Sequence, residues 1–598
     1  MKTKRIISLL LVVVMLFSVV SVSFASAAEN SVNAVSDYVP DYDRETPVII
    51  VHGMSQNDTY VLDENGNRIP DKNGYVTGWP LEIDVMALIK EIFPNLLTAL
   101  ITRQESGLPE KAKKGAYEAL YAIHKDNKGN YLNTVDVPCY EYPMSEMTDE
   151  LKEYYYNFLP IQELGELVGE NNVYYFGYDS IGDVMHETEK LHHYIHDVVM
   201  KQTGSDKVNL CHISLGGTIA VNYLETYPED YDLIKKMVFV EPAIDGSNII
   251  GDILTDNLSV YDDKTLYEEL LVFLLGDTYL SYFINILLRI LPDAVLKETL
   301  RSIVEGVVEV AIRPTSIIWA LCPDAYYEEA RAKWLSDDEY AEIRDKADYF
   351  MDARANFKDN LFTLMEKGTK VYDLVCYDVP LFPLCKDYKT TNADRVIHAA
   401  STSMCATFAD LGTTLPAGYK AAGTYCNNPD HNHISPDGVV DATTGLIPCT
   451  TWYIKGQAHE LLPLNDVGLE LAIRAMADEN MVDVYSNPAY PQFNEGRLTG
   501  NTTEYIKAWE EADKSAMDAE TVKKCEDAVA VVNTLLDETI VDSEKWLDAE
   551  ENLRATLAEA NVIEDTTPTG FEKFLTCFAK TANLTFNKFF ETIGKGMN

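Results

Sequence analysis

Lys207 to Glu225 reads KVNLCHISLGGTIAVNYLE. A mostly apolar run, Val208 to Cys211, leads to a serine, a pair of glycines and a helix-like stretch. A serine at a sharp strand-to-helix bend holds its hydroxyl at the top of a sheet, where it can attack a carbonyl carbon. The bend needs small residues two before and two after the serine, because neighbouring backbone passes close by. Gly216 and Gly217 meet the second need, but His212 stands where the G-x-S-x-G pattern has its first glycine. On this heptapeptide alone, a nucleophile at Ser214 and an ordinary structural turn are equally open.

Acyl transfer also needs amide donors for the oxyanion, a base, and an acid to orient the base. The N–H of Leu215, next after the serine, is one donor. The loop ending VIIVHGM offers Met54 N–H as the other. The partners in this chain order are Ser, then Asp or Glu, then His. Four of the 11 histidines follow Ser214: His398, His431, His433 and His459. His459 lies in YIKGQAHELLP, after a strand and before an amphipathic helix, and is the preferred base. His431 and His433 sit in a turn-rich loop and are weaker candidates. For the acid, Asp394 in TTNADRVIHAAS is preferred, Asp378 is second and Asp373 a further rival.

These residues require a sheet with open C-terminal strand ends. TPVIIVHGM, NVYYFGYDS, KVNLC, KKMVFV, KVYDLVCYDVPLF and TTWYIKG read as short buried strands, with amphipathic helices between several of them. That alternation predicts an α/β fold with a doubly wound, mostly parallel sheet. Two insertions interrupt it: a mixed one at about 55–170, with hairpin-like LDENGNRI and KDNKGNYLN, and a helical cap at about 248–367. The apolar face of the cap, including Phe283, Ile284, Leu287, Leu288 and Leu291, is a candidate lining for an acyl pocket. The expected organisation is a signal peptide over 1–27, the α/β domain over 28–495, an all-α module over 496–563, and a linker with an aromatic tail over 564–598.

The set VIIVHGM, VYYFGYDS, KVNLCHISLGGTIA, TNADRVI and IKGQAHELLP resembles the α/β-hydrolase superfamily, nearest to secreted bacterial triacylglycerol lipases and esterases. It is also similar to the lecithin–cholesterol acyltransferase-like group. The resemblance covers roughly Thr46–Met54, Asn171–Ser247 and Lys370–Met476, a minority of the chain. It implies ester hydrolysis by a triad carried onto Ser214, Asp394 and His459, with Met54 and Leu215 amides as oxyanion donors. His212 departs from the pattern, and the long insertions are not explained by it. Amidase and acyltransferase chemistry use the same triad. A non-catalytic binding protein on a degenerate hydrolase fold is the competing class.

Composition sets outer bounds. The chain has 598 residues, 46% hydrophobic and 24% charged, enough for several folding units. A net charge of −46 repels phosphate backbones, so nucleic acid is not an expected partner. The start, MKTKRIISLLLVVVMLFSVVSVSFASAAEN, has a basic end, an apolar stretch and an A-x-A site, and predicts export. Ten cysteines are too sparse for a disulfide framework, though Cys376 with Cys385, or Cys426 with Cys449, are local pairing options. DHNHISPDGVVD invites a calcium reading near Asp437 and Asp441, or a mixed His and Asp zinc site. Turn chemistry is the stronger account, and no cofactor is expected. The tail spaces Phe571, Phe574, Phe578, Phe586 and Phe589 on one helical face beside lysines, which suits contact with a membrane or cell envelope.

Overall fold

In the computed structural model the described residues are 38–71, 74–80, 85–262, 265–271, 273, 279–495, 500–514, 517–536 and 543–563. The expected signal peptide and the aromatic tail lie outside them. Seven parallel strands form one sheet: β1 Val48–Val51, β2 Val173–Phe176, β3 Val208–Ile213, β4 Ile234–Val240, β5 Lys370–Tyr377, β6 Thr451–Lys455 and β7 Phe493–Glu495. Their order across the sheet is β7-β6-β5-β4-β3-β1-β2. β1 and β2 are buried along their whole length, which is why VIIV and VYYF carry no polar alternation. Alternate residues serve opposite layers. Ile49, Val51, Leu210 and Phe239 face one core, and Val48, Ile50, Cys211 and Val238 the other.

The first core is covered by α1 (Val184–His193), α2 (Gly216–Thr226) and α3 (Ala341–Glu366). Asp183 caps α1 by accepting the N–H groups of Met185 and His186. The second core lies under α4 (Asp466–Ala477) and the segment around Tyr155 and Leu164. Six strands coincide with the apolar runs. The seventh, β7, is only three residues long and ends at the boundary expected for the α/β domain.

The two insertions are not independent. Helix Leu108–Ala119 of the first packs against helix Asp293–Val307 of the second, with Lys113 bridging Glu305 and Glu309. The helical insertion also ends differently from a simple cap, because α3 packs on α2 as an ordinary crossover helix. Arg354 of α3 is buried and binds Cys322 O at 2.8 Å, Asp324 at 2.9 Å and Ala320 O, fastening the cap to that helix. Both hairpin-like segments close as expected, through Leu62–Arg68 and Lys125–Tyr131 bridges. Helices Gly500–Glu511, Ala519–Leu536 and Ser543–Glu559 form a separate small core around Trp509, Val532 and Leu553. Among the described residues no helix is long and apolar enough to cross a membrane.

Candidate active site

Ser214 follows β3 directly and has φ 52°, a left-handed backbone that a side chain adopts only when its surroundings enforce it. The enforcement is visible. Ser214 N–H donates to Val240 O at 2.9 Å, and Ser214 O accepts from Gly217 N at 2.9 Å and Ala243 N at 3.0 Å. The turn is thus stitched to the end of β4. A Cβ on Gly216 would meet Val51 O at 2.5 Å, and one on Gly217 would meet Ala243 N at 2.9 Å. These glycines are required by backbone approach rather than by their own φ.

His212 causes no opening of the turn. Its ring lies on the α2 side of the sheet, fully buried, with Phe239 stacked beside it at 5.8 Å and 28°. Nδ1–H donates to Gly216 O at 2.9 Å, the carbonyl at the start of α2. Burial pushes its pKa down to about 4, so the ring is neutral. Within the turn itself, the need for a small residue falls on Gly216 and Gly217. His212→Gly should therefore lower stability by about 2–4 kcal/mol, through a cavity and a lost hydrogen bond. Gly216→Ala should cost about 1–3 kcal/mol through overpacking. Urea unfolding checks both, and a stabilised His212→Gly would contradict this account.

His459 begins the turn after β6. Its Nε2 lies 2.9 Å from Ser214 Oγ and its Nδ1 lies 2.7 Å from Asp394 Oδ2. Asp394 is fully buried, and its other oxygen accepts Val396 N–H at 2.9 Å and Ile397 N–H at 2.7 Å. His459 N–H also donates to Asp394 O at 2.7 Å, so the two loops are joined at the backbone. The structure brings the preferred serine, histidine and aspartate into one chain of hydrogen bonds. The alternatives lie elsewhere. Asp378 pairs with Lys455, Asp373 is buried within β5, and His398 faces Asp245. Cys376 and Cys385 belong to opposite faces of the sheet and are not joined.

One acid escaped the sequence reading. Glu241 immediately follows β4, is buried, and has φ 47°. Its Oε2 lies 3.5 Å from His459 Nδ1, beside Asp394. Burial pushes its carboxyl well above the usual range, against the pull of His459 and with the push of Asp394. For His459, burial favours the neutral ring, but Asp394 and then Glu241 outweigh it and raise its pKa above the ordinary histidine range. The available signal was an acid directly after an apolar strand, at the sheet end where parallel-sheet sites gather.

The loop after β1 is held from behind. His52 is buried and stacked on Tyr178 at 4.1 Å; its Nδ1–H donates to Gly53 O at 2.6 Å, and its Nε2 accepts Tyr178 N–H at 3.2 Å. Gln56 accepts Gly53 N–H at 2.6 Å and closes the turn. Among the described residues, neither Met54 N–H nor Leu215 N–H is engaged in a hydrogen bond. Both residues line the same cavity as Ser214 and His459. That cavity is about 290 Å³ and mostly apolar. Its walls come from both insertions, Phe158 and Ile161 in the first and Ile249 and Leu321 in the second, with Leu469 and Ile473 from α4. Ile284, Leu288 and Leu291 of the cap instead pack into the core, while the side chains of Phe283 and Leu287 lie outside the described residues.

The carboxylates expected as a calcium option are occupied by protein donors. Asp437 takes Ser435 Oγ–H at 2.5 Å and Val439 N–H at 3.1 Å, and Asp441 takes Thr443 N–H at 3.0 Å and Ala422 N–H at 2.9 Å. They act as turn residues.

No protein-family model matches the chain. No curated protein matches it in sequence. Among solved structures, one titled "The crystal structure of Tle4-Tli4 complex" is similar over 72% of this chain and 97% of that chain, at 11% identity and a TM-score of 0.28. At that score the likeness carries no argument about function.

Proposed function

We propose that this chain is an exported serine hydrolase of the α/β-hydrolase type that cleaves carboxylic esters with an apolar acyl group. The observation that carries the reading is the Ser214–His459–Asp394 hydrogen-bond chain at the wall of an apolar cavity. Ser214 Oγ attacks the ester carbonyl while His459 Nε2 takes its proton. Met54 and Leu215 amides receive the developing oxyanion. The tetrahedral adduct collapses, His459 returns the proton to the leaving alkoxide, and an acyl-enzyme and alcohol result. Water then attacks the acyl-enzyme with His459 again as base, and the acid is released. Asp394 holds the Nδ1–H tautomer throughout and offsets the charge on the ring.

The cavity is close to the lower end of ligand pockets, about 300–1,000 Å³, which suits one acyl chain rather than a whole triacylglycerol. Export follows from the basic-apolar leader and its A-x-A site. Contact of the aromatic tail with a lipid or envelope surface belongs to the same proposal.

A fluorophosphonate probe tests the reading directly. The expected result is a single adduct on the peptide containing Ser214, lost when His459 is replaced by alanine. Folded wild-type protein that takes up no probe would sink the proposal. In a p-nitrophenyl ester series, a strict preference for acetyl esters would argue against the apolar cavity as the acyl site.

A further inference from the structure

Between the strand that precedes Asp394 and the strand that precedes His459, the chain makes a long excursion rich in turns. Cys426, His431 and His433 lie within it, and Cys449 lies two residues before β6. Their four donor atoms all fall within 4.8 Å of one another. Cys426 Sγ is 3.5 Å from His431 Nδ1, Cys449 Sγ is 3.8 Å from His431 Nδ1, and Cys449 Sγ is 3.7 Å from His433 Nε2. We propose that Cys426, His431, His433 and Cys449 form a structural zinc site that pins this excursion to the start of β6.

The spacing argues for it. With Zn–S near 2.3 Å and Zn–N near 2.0–2.1 Å, a tetrahedron places sulfur and nitrogen about 3.6 Å apart. The measured separations lie around that value. A disulfide would join the two sulfurs at about 2.05 Å and would need no imidazole beside them. Here two imidazoles converge on the sulfurs instead. His433 is also oriented as a ligand would be, since Nδ1–H donates to Gln492 Oε1 at 2.7 Å and leaves Nε2 toward the cluster. Gln492 is itself fixed, donating to Pro448 O at 2.7 Å and Thr451 O at 3.0 Å. The Tyr485 ring covers His431 at 4.6 Å.

Four protein ligands with no open position make a closed, structural centre. None of the four lines the Ser214 cavity. Binding converts two thiols to thiolates, releases two protons, and leaves a neutral Zn–Cys₂His₂ unit. The consequence is mechanical. Gln492 O accepts Tyr453 N–H at 2.8 Å, so the cluster, β6 and β7 are tied at one sheet edge. β6 then runs straight to His459.

Metal analysis of the full chain, purified without chelator, tests the proposal. The expected result is one zinc per chain, absent in a Cys426→Ser/Cys449→Ser variant. Cobalt substitution of the wild type should give the visible bands and sulfur charge transfer of a tetrahedral S₂N₂ centre. Should the variant fail to fold, iodoacetamide on the wild type decides: Cys426 and Cys449 should be protected, and exposed to reagent once zinc is chelated. A wild type carrying a Cys426–Cys449 disulfide, zinc-free protein with free thiols, or zinc retained by the folded double variant would each overturn the site.

Discussion

Replacing Ser214 with alanine should lower ester turnover roughly 10⁴–10⁶-fold while leaving the melting temperature near that of the wild type. The two halves of this expectation have different causes. Turnover falls because Ser214 Oγ is the atom 2.9 Å from His459 Nε2, and alanine leaves the base with nothing to activate but water. Stability holds because the turn is built by backbone. Ser214 N–H to Val240 O and Ala243 N–H to Ser214 O survive the change, and alanine bears the same left-handed φ that serine does. Ser214→Gly provides the matched control. It should lose turnover equally but gain up to about 1 kcal/mol, by relieving the positive φ. Steady-state kinetics on a p-nitrophenyl ester beside thermal melts checks both. Turnover of Ser214→Ala within tenfold of wild type would remove Ser214 as nucleophile.

The sheet was readable because its strands are buried on both faces, so VIIV, VYYF and MVFV stand out as unbroken apolar runs. Ser214 and His459 were readable because each follows such a run, and Asp394 because the chain order Ser, acid, His needs a carboxylate between them. Besides Glu241, three things were not. β7 is too short to show a pattern and pairs only through Tyr453, Ile454 and Lys455 of its neighbour. The fit of His212 depends on which face of β3 it occupies, and register decides that: it lies between Val51 and Phe239, over the start of α2. The Cys426–His431–His433–Cys449 cluster has no CxxC spacing and is assembled by the fold of one excursion around Gln492. The cavity wall was only half visible, since Phe158 and Ile161 come from the first insertion and not from the cap.

Asp394→Asn should cost about 10⁴ in kcat, a loss that follows from which atoms are already taken. Asp394 Oδ1 accepts two backbone N–H groups, so an asparagine there keeps its carbonyl oxygen on Val396 and Ile397. Its NH₂ then faces His459 Nδ1 and drives the ring proton to Nε2, where it points at Ser214 Oγ. The base is in the wrong tautomer. Glu241, 3.5 Å from the same Nδ1, adds a pH dependence. In the wild type, catalysis needs neutral His459, so kcat/KM falls as pH drops through its pKa. Asp394 and then Glu241 raise that pKa against the effect of burial, which puts the acidic limb of the profile above the ordinary histidine range. Glu241→Gln removes one of the two raising charges. Its limb should move to lower pH, with kcat at the plateau within a few-fold of wild type. In Asp394→Asn the charge that raises the Glu241 carboxyl is gone, so Glu241 ionises at lower pH than in the wild type and, once ionised, favours the Nδ1–H tautomer that the asparagine disfavours. Residual activity of that variant should therefore rise with pH, and adding Glu241→Gln should remove the rise. An unshifted limb in Glu241→Gln, together with a pH-independent residue of activity in Asp394→Asn, would show that Glu241 does not act on His459.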